Sequence, residues 1–363
     1  MAVPAFDPKE LTVVEERPGF FGGPPVQVFS YPLKPREAVI KMFEREPAWQ
    51  MSGMEQMVMF SPKANPDNVA RAFVFDGAGD PPPPADVDIP DMFGINWVYV
   101  PQVGGSMVRP GKPLMEDANE WEEKVVWPDL ETWDWATSVE RAKKQFANAT
   151  GFVSAWILNG WYERLISFMD FENAIMAVFD EDQKDAVHAF FDKLSDFYIK
   201  MIDKYLLHFP QIDGFCFHDD WGSQKETFFS PAVVEEMIVP YMRRVTDYLH
   251  SKGKFAELHS CGQILKQVPN MIAAGWDLWH PQPMNDTHKI YELYGDKILV
   301  GVMPERFDPE KTTEEEQRAA AREYAKKFCD PKKPSVLSLS ASPLLTKAFR
   351  EELYKQSRIN YSK

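Results

Sequence analysis

From about residue 150 onward, short apolar runs alternate with long segments whose apolar positions recur every three or four residues. The runs lie at 152–158, 212–217, 255–259, 277–280, 298–303 and 336–339. They are too short and too uniformly apolar for amphipathic helices, so they read as strands covered on both faces. Between them, 182–207 places Val187, Phe190, Phe191, Leu194, Phe197 and Tyr198 at helical spacing. A second helix is expected over 231–250, ending at Ser251-Lys252-Gly253, where glycine supplies a stop. Thr312-Thr313-Glu314-Glu315-Glu316 opens a third, with threonine ahead of acids that suit the positive end of a helix. A last helix follows Pro343. Strands alternating with helices predict a parallel sheet built of repeated βα units.

The first 150 residues lack this rhythm beyond a helix near 35–45 and are rich in proline. Pro81-Pro82-Pro83-Pro84 fits neither helix nor central strand and predicts a stiff extended segment. Two earlier apolar runs, 47–51 and 95–100, bring the strand count to eight. Eight parallel strands predict a (β/α)8 TIM barrel with an elaborated, loop-rich N-terminal third. One domain then spans residues 1–363, with 1–150 supplying an extension, the first strands and substrate-covering loops. The competing arrangement is an open doubly wound sheet, but no glycine-rich phosphate loop follows any strand.

Composition narrows the function. With 363 residues, 44% of them hydrophobic, the chain can bury a large core. A formal net charge of −15 repels phosphate backbones and anionic lipid, which disfavours nucleic acid and membrane surfaces as partners. No apolar stretch approaches the roughly 20 residues that span a bilayer. The start, Met-Ala-Val-Pro-Ala-Phe-Asp-Pro, lacks a basic and apolar secretion signal, so a cytoplasmic protein is expected. Three cysteines cannot form a disulfide framework and leave metal binding or packing as their uses. Eleven tryptophans, several in loop-like contexts, pack long loops or line a pocket for a flat apolar substrate.

In a barrel the active site forms where strands end, and here those exits are polar. Glu257-Leu258-His259-Ser260-Cys261-Gly262 sends His259 and Cys261 out on one face, because residues two apart in a strand point the same way. Imidazole nitrogen and thiolate sulfur are preferred zinc ligands, so the pair makes half of a tetrahedral site. The neighbouring exits carry His218 and Asp219, His280, and Glu305. Each alone has an ordinary structural reading, such as His280 capping its strand or Asp219-Asp220 fixing a turn; together they mark one mouth.

Several segments resemble the uroporphyrinogen decarboxylase superfamily, and more narrowly its corrinoid-linked methyltransferase branch. They are Phe168-Met169-Asp170-Phe171-Glu172-Asn173, Ile212-Asp213-Gly214, Asp219-Asp220-Trp221-Gly222-Ser223-Gln224, His259-Ser260-Cys261-Gly262 and Ala274-Gly275-Trp276-Asp277 with His280-Pro281. Asp91-Met92-Phe93-Gly94 and Trp127-Pro128-Asp129-Leu130 extend the likeness. The resemblance implies a (β/α)8 barrel. True decarboxylases of that superfamily hold a polycarboxylate with arginines near the N-terminus, whereas Pro47-Ala48-Trp49-Gln50-Met51-Ser52-Gly53-Met54 contains none. Uncompensated carboxylates in a buried pocket are costly, so porphyrinogen is a poor substrate. Thiol-methylating members add a cysteine near the last strand, but here that exit reads Ser338-Leu339-Ser340-Ala341-Ser342. Cys329 precedes the strand and is read as structural. A third zinc ligand must then come from Glu305, His218, Glu257 or Cys216, with Glu305 favoured.

The expectation is therefore an enzyme that moves a methyl group from a small donor, a methoxylated aromatic compound, to the cob(I)alamin of a partner corrinoid protein. The corrinoid partner, which carries the cobalamin, is implied by the resemblance alone. Zn2+ at His259, Cys261 and Glu305, with Asp219, His280 and His218 as catalytic groups, would stabilise charge on the departing oxygen. Trp49, Phe93, Trp97, Trp161, Trp221, Gln224 and Gln282 are the candidates to hold the substrate. Two other readings stay open: a methylcobalamin:thiol methyltransferase, and a non-catalytic barrel that binds a corrinoid protein or an aromatic ligand. A homodimer is compatible with all three.

Overall fold

The computed structural model describes residues 4–19, 23–51, 55–102, 104–147 and 149–362. Its strands are β1 (Val13–Arg17), β2 (Val26–Phe29), β3 (Met57–Phe60), β4 (Asp88–Pro90), β5 (Asn96–Val100), β6 (Gly105–Val108), β7 (Phe152–Ile157), β8 (Gly214–His218), β9 (Phe255–His259), β10 (Leu278–His280), β11 (Leu299–Val302) and β12 (Val336–Leu337). All six strands expected after residue 150 are present, each within a few residues of its apolar run. The chain falls into two compact units, one of residues 1–58, 150–153 and 277–363, the other of 59–149 and 154–276.

In the second unit β7, β8 and β9 are parallel neighbours, with Ser154 opposite Gly214 and His218 opposite His259. Every residue of β7 and β8 is buried, which is why their sequences are continuous apolar runs rather than alternating ones. The long helix Lys184–His208 packs its Val187, Phe191, Leu194 and Tyr198 face inward. The helix expected over 231–250 is instead two, Pro231–Met237 and Val239–Ser251. Pro240 is the reason: it has no N–H for the preceding turn and its ring crowds the carbonyl four residues back. The chain accordingly leaves helical geometry at Ile238, φ −122°.

Residues 95–100 do form a strand, but not a parallel one. β5 lies between β4 and β6 in a small antiparallel sheet, with Trp97 paired to Ile89 and Val108. Its links are too short for the crossover that parallel pairing needs. Asp91 builds the first link: its Oδ1 accepts the N–H groups of Phe93 and Ile95, both at 2.9 Å, and Gly94 takes φ +80°. Pro81–Pro84 has no regular secondary structure, as expected.

In the first unit β10, β11 and β12 are parallel, with Leu278 opposite Leu299 and Gly301 opposite Val336. Helices Glu314–Phe328 and Lys347–Tyr361 cover them, the former opened by a Thr313 and Glu316 capping box. The expected strand over 47–51 does not form, and residues 52–54 lie outside the described ones. The segment runs beside β12, where Leu337 N–H donates to the Met51 carbonyl at 3.2 Å, but the Gln50 N–H is spent on the Ser357 hydroxyl. Pro47 has no N–H to give. The architecture is thus α/β with six of the expected strands, β7 to β9 and β10 to β12, joined by β3, which was not expected, and no eighth parallel strand among the described residues. No helix among them is long and apolar enough to cross a membrane.

Candidate metal centre and its cleft

Because β8 and β9 pair in register, their last residues, His218 and His259, leave side by side with ring centroids 5.3 Å apart. Cys261 follows two residues on. Its Sγ lies 3.6 Å from His259 Nε2 and 3.8 Å from His218 Nε2. The three donor atoms all fall within 4.8 Å of one another. With Zn–S near 2.3 Å and Zn–N near 2.05 Å, tetrahedral ligands stand about 3.6 Å apart, so the observed N···S spacings suit zinc. The turn that delivers Cys261 is tightly built: its N–H donates to Asp220 Oδ1 at 2.6 Å, and Gly262 adopts φ +93°. A Cβ at Gly262 would stand 2.3 Å from the Gly222 carbonyl oxygen, so only glycine fits.

Helix Trp161–Ala177 brings the next groups. Asp219 caps its start, Oδ1 accepting from Glu163 N–H at 2.8 Å and Oδ2 from Tyr162 N–H at 3.3 Å and Trp221 Nε1 at 3.0 Å. Gly160 admits this carboxylate, since a Cβ there would meet the Asp219 Cβ at 2.4 Å. The capped turn points Glu163 at His218, with Oε2 accepting from Nδ1 at 2.6 Å. Arg71 closes the group: its Nη1 is 2.9 Å from Asn159 Oδ1 and 3.5 Å from Glu163 Oε1, and its guanidinium lies 4.7 Å over the Trp97 ring.

Charge follows from these contacts. Burial opposes a charged His218, but the Glu163 and Asp220 carboxylates outweigh it and hold its pKa well above the usual imidazole value. Burial raises Asp220, yet His218 and the Cys261 N–H bring it below the usual carboxylate range. Burial also pushes the Cys261 thiol up, against the lowering contact with His218. Asp219, wholly enclosed, is pushed by burial up to about 7 despite its hydrogen bonds. A coordinated metal cation reverses this logic at sulfur, because a metal-bound thiol gives up its proton.

Arg71, Trp97, Met107, Ile166, Phe171 and Asp220 line a cleft of about 580 Å³, and Glu163 joins it to the histidines. Beneath it Arg164, fully buried, donates Nη1 to Asp91 Oδ2 at 2.6 Å and Nη2 to Asp67 Oδ2, while Asn159 Nδ2 also donates to Asp67 at 2.7 Å. Trp97 Nε1 donates to Asp91 at 3.0 Å, tying the cleft wall to this cluster.

The residues singled out from sequence land in different surroundings. His259, Cys261 and His218 come together, and Trp97 lines the cleft. Asp219 is enclosed as a helix cap with both oxygens occupied. Trp161 stacks on Phe217 in the core and donates to Ser195, and Trp221 is equally buried against Asp219. Phe93 packs among Phe168, Trp127 and Phe197 with Arg164 over its face. Gln224 is exposed in the turn after β8. In the other unit, Trp49 is buried and stacked on Tyr31, with centroids 4.8 Å apart, as part of a hydrophobic cluster. His280 is buried at the end of β10, and the Gln282 carbonyl accepts from Asn285. Glu305 is 70% exposed, with Lys327 at 3.7 Å and His288 at 3.8 Å, because β11 ends at Val302 and Met303-Pro304 carries the chain outward. The group that offers a third possible donor atom beside His259 and Cys261 is His218. Glu257 is buried two residues deeper in β9 and accepts from Ser154 at 2.7 Å. Cys329 is a buried thiol that donates to Gln50 at 3.3 Å, and burial pushes it up to about 12. The sequence reading missed Glu163 and Arg71. Glu163 had one signal, an acid in the first helical turn after strand 152–158; Arg71 sits where no periodicity guides the eye.

Residues 91–346 match the family model described as uroporphyrinogen decarboxylase (URO-D), which is well over half of the sequence, and the chain belongs to that family. Among solved structures it is similar to a methyltransferase from Methanosarcina mazei, at 13% identity and a TM-score of 0.51, with 90% of this chain and 98% of that one covered. At that identity the likeness speaks to fold. A comparison with curated proteins found no match.

Proposed function

We propose that the chain is a methyltransferase that binds zinc at His218, His259 and Cys261 and takes a methyl group from a methoxylated aromatic donor to the cob(I)alamin of a corrinoid protein. The observation that carries this reading is a ligand set of two imidazoles and one sulfur beside a cleft whose mixed polar and apolar lining includes Trp97 and Phe171. The methyltransferase name of the solved relative agrees with it. Zinc held by these three residues would supply Lewis acidity toward the departing oxygen. Zinc with two neutral imidazoles and one thiolate would itself carry positive charge toward the departing oxygen, while the Glu163 and Asp220 carboxylates lie beside His218.

The chain's own residues then have separable tasks. Trp97 and Phe171 hold the ring, and the Arg71 guanidinium adds positive potential on the same side. As the methyl–oxygen bond breaks, the bonding pair stays on oxygen and the methyl group passes to the acceptor. Asp219 acts through the helix it caps and touches no substrate. His280 and Glu305 receive no role here.

The test is an anaerobic assay of zinc-supplied protein with methoxybenzenes and a cob(I)alamin-loaded corrinoid protein. Release of the phenol, lost in Cys261→Ala, supports the proposal. Turnover that appears only with a thiol acceptor and methylcobalamin replaces it with thiol methylation. Zinc uptake with neither reaction would leave a binding protein.

A further inference from the structure

We infer that Glu163 is a positioning residue for the metal centre: its carboxylate fixes the Nδ1 proton of His218 and so presents Nε2 as the ligand atom. The inference rests on the metal reading above and deepens it. Nδ1 and Oε2 are 2.6 Å apart, a charge-assisted hydrogen bond. An ion bridging the two atoms would hold them about 3.3 Å apart at ordinary zinc distances, so Glu163 is His218's hydrogen-bond partner and not a fellow ligand. The Arg71 Nη2 contact to Nδ1, at 3.5 Å, is the weaker of the two, and with the proton on Nδ1 both atoms are donors. Nε2 faces Cys261 Sγ at 3.8 Å and Asp220 Oδ1 at 3.4 Å.

Glu163 is itself held from three directions. Its N–H is bonded to Asp219, Oε2 is bonded to His218, and Oε1 faces Arg71. The cap fixes the backbone that carries the side chain, and the carboxylate cannot swing away without giving up its His218 hydrogen bond and the Arg71 ion pair. Partners of this kind orient a metal-bound histidine and raise its basicity, and their loss typically weakens metal binding about 10- to 100-fold.

Cobalt(II) titration of the apo chain, followed by its visible absorption against a competing chelator, tests this without any turnover. Glu163→Ala is expected to bind about 10- to 100-fold more weakly, with a changed cobalt spectrum. Glu163→Gln, which can still accept from Nδ1, should recover part of the affinity. Apo-state denaturation of each variant is recorded alongside, so that a general loss of fold is visible as such. Unchanged affinity and spectrum in both variants overturn the inference while leaving the metal reading in place. A parent chain that takes up no cobalt or zinc overturns both.

Discussion

His218 and His259 face the same space because the strands that carry them are paired residue for residue, and Cys261 joins them because Gly262 lets the chain double back against Gly222. Asp219 shows how neighbouring residues divide their work, since it spends its carboxylate on the helix that aims Glu163. Asp219→Ala strands two helix N–H groups and the Trp221 indole N–H in a buried place. A loss of about 2–4 kcal/mol is expected from urea denaturation; unchanged stability would contradict the capping role. Sequence made the His259 and Cys261 pair legible, since a spacing of two in a strand is a geometric statement. His218 stood among the candidate third donors but Glu305 was favoured over it, because both are strand-exit residues and only register and exposure separate them. The aromatic residues were least legible: Trp97 and Trp161 look alike in sequence, yet one lines the cleft and the other fills the core.

Helix Trp161–Ala177 does more than hold Glu163. Its Arg164 is bonded to Asp67 and Asp91, joining this helix to Pro66–Ala70 and to the link before β5, all without water access. Burial raises Asp67, and the Arg164 charge opposes that rise. Removing one partner of such a cluster leaves the others charged and buried. Arg164→Met is therefore expected to cost about 3–5 kcal/mol. The double variant Asp67→Asn with Arg164→Met should cost less than the sum of the singles. Equal additivity would show that the cluster does not act as a unit. The same helix breaks at Asp170, φ +59° and ψ 167°, where the carboxylate accepts from Gly111 N–H at 2.9 Å and borders the cleft. Such geometry is strained for any residue but glycine. Elements buried on both faces were legible from their apolar runs. The helix break at Ile238 was readable in principle from Pro240. The small antiparallel sheet was not, because strands of three to five residues between loops carry too little pattern.

Over the whole molecule, apolar runs alternating with helical segments anticipated an α/β protein, and the family match agrees. Two of the eight expected strands fail: 95–100 joins the small antiparallel sheet, and 47–51 is apolar for burial and not for pairing, with Ala48, Trp49 and Met51 all core. Ends of the chain meet in the first unit, where Glu10 accepts from Arg358 Nε at 2.8 Å and Tyr354 Oη at 2.7 Å. Burial works against the Glu10 carboxylate, but these partners lower its pKa below the ordinary value. A group depressed on folding stabilises the protein above its unfolded pKa and loses that contribution as pH falls through the folded one. Glu10→Gln should thus be less stable than the parent at neutral pH, and its stability should depend less on pH below about 4.5. Parallel pH profiles for the two would contradict this.

The most direct test of the account is the metal content of the anaerobically purified, zinc-supplied chain beside His218→Ala, Cys261→Ala and Glu305→Ala. One zinc per chain is expected, kept in Glu305→Ala and lost in the other two. Zinc lost in Glu305→Ala but kept in His218→Ala, or no zinc in the parent, would contradict it.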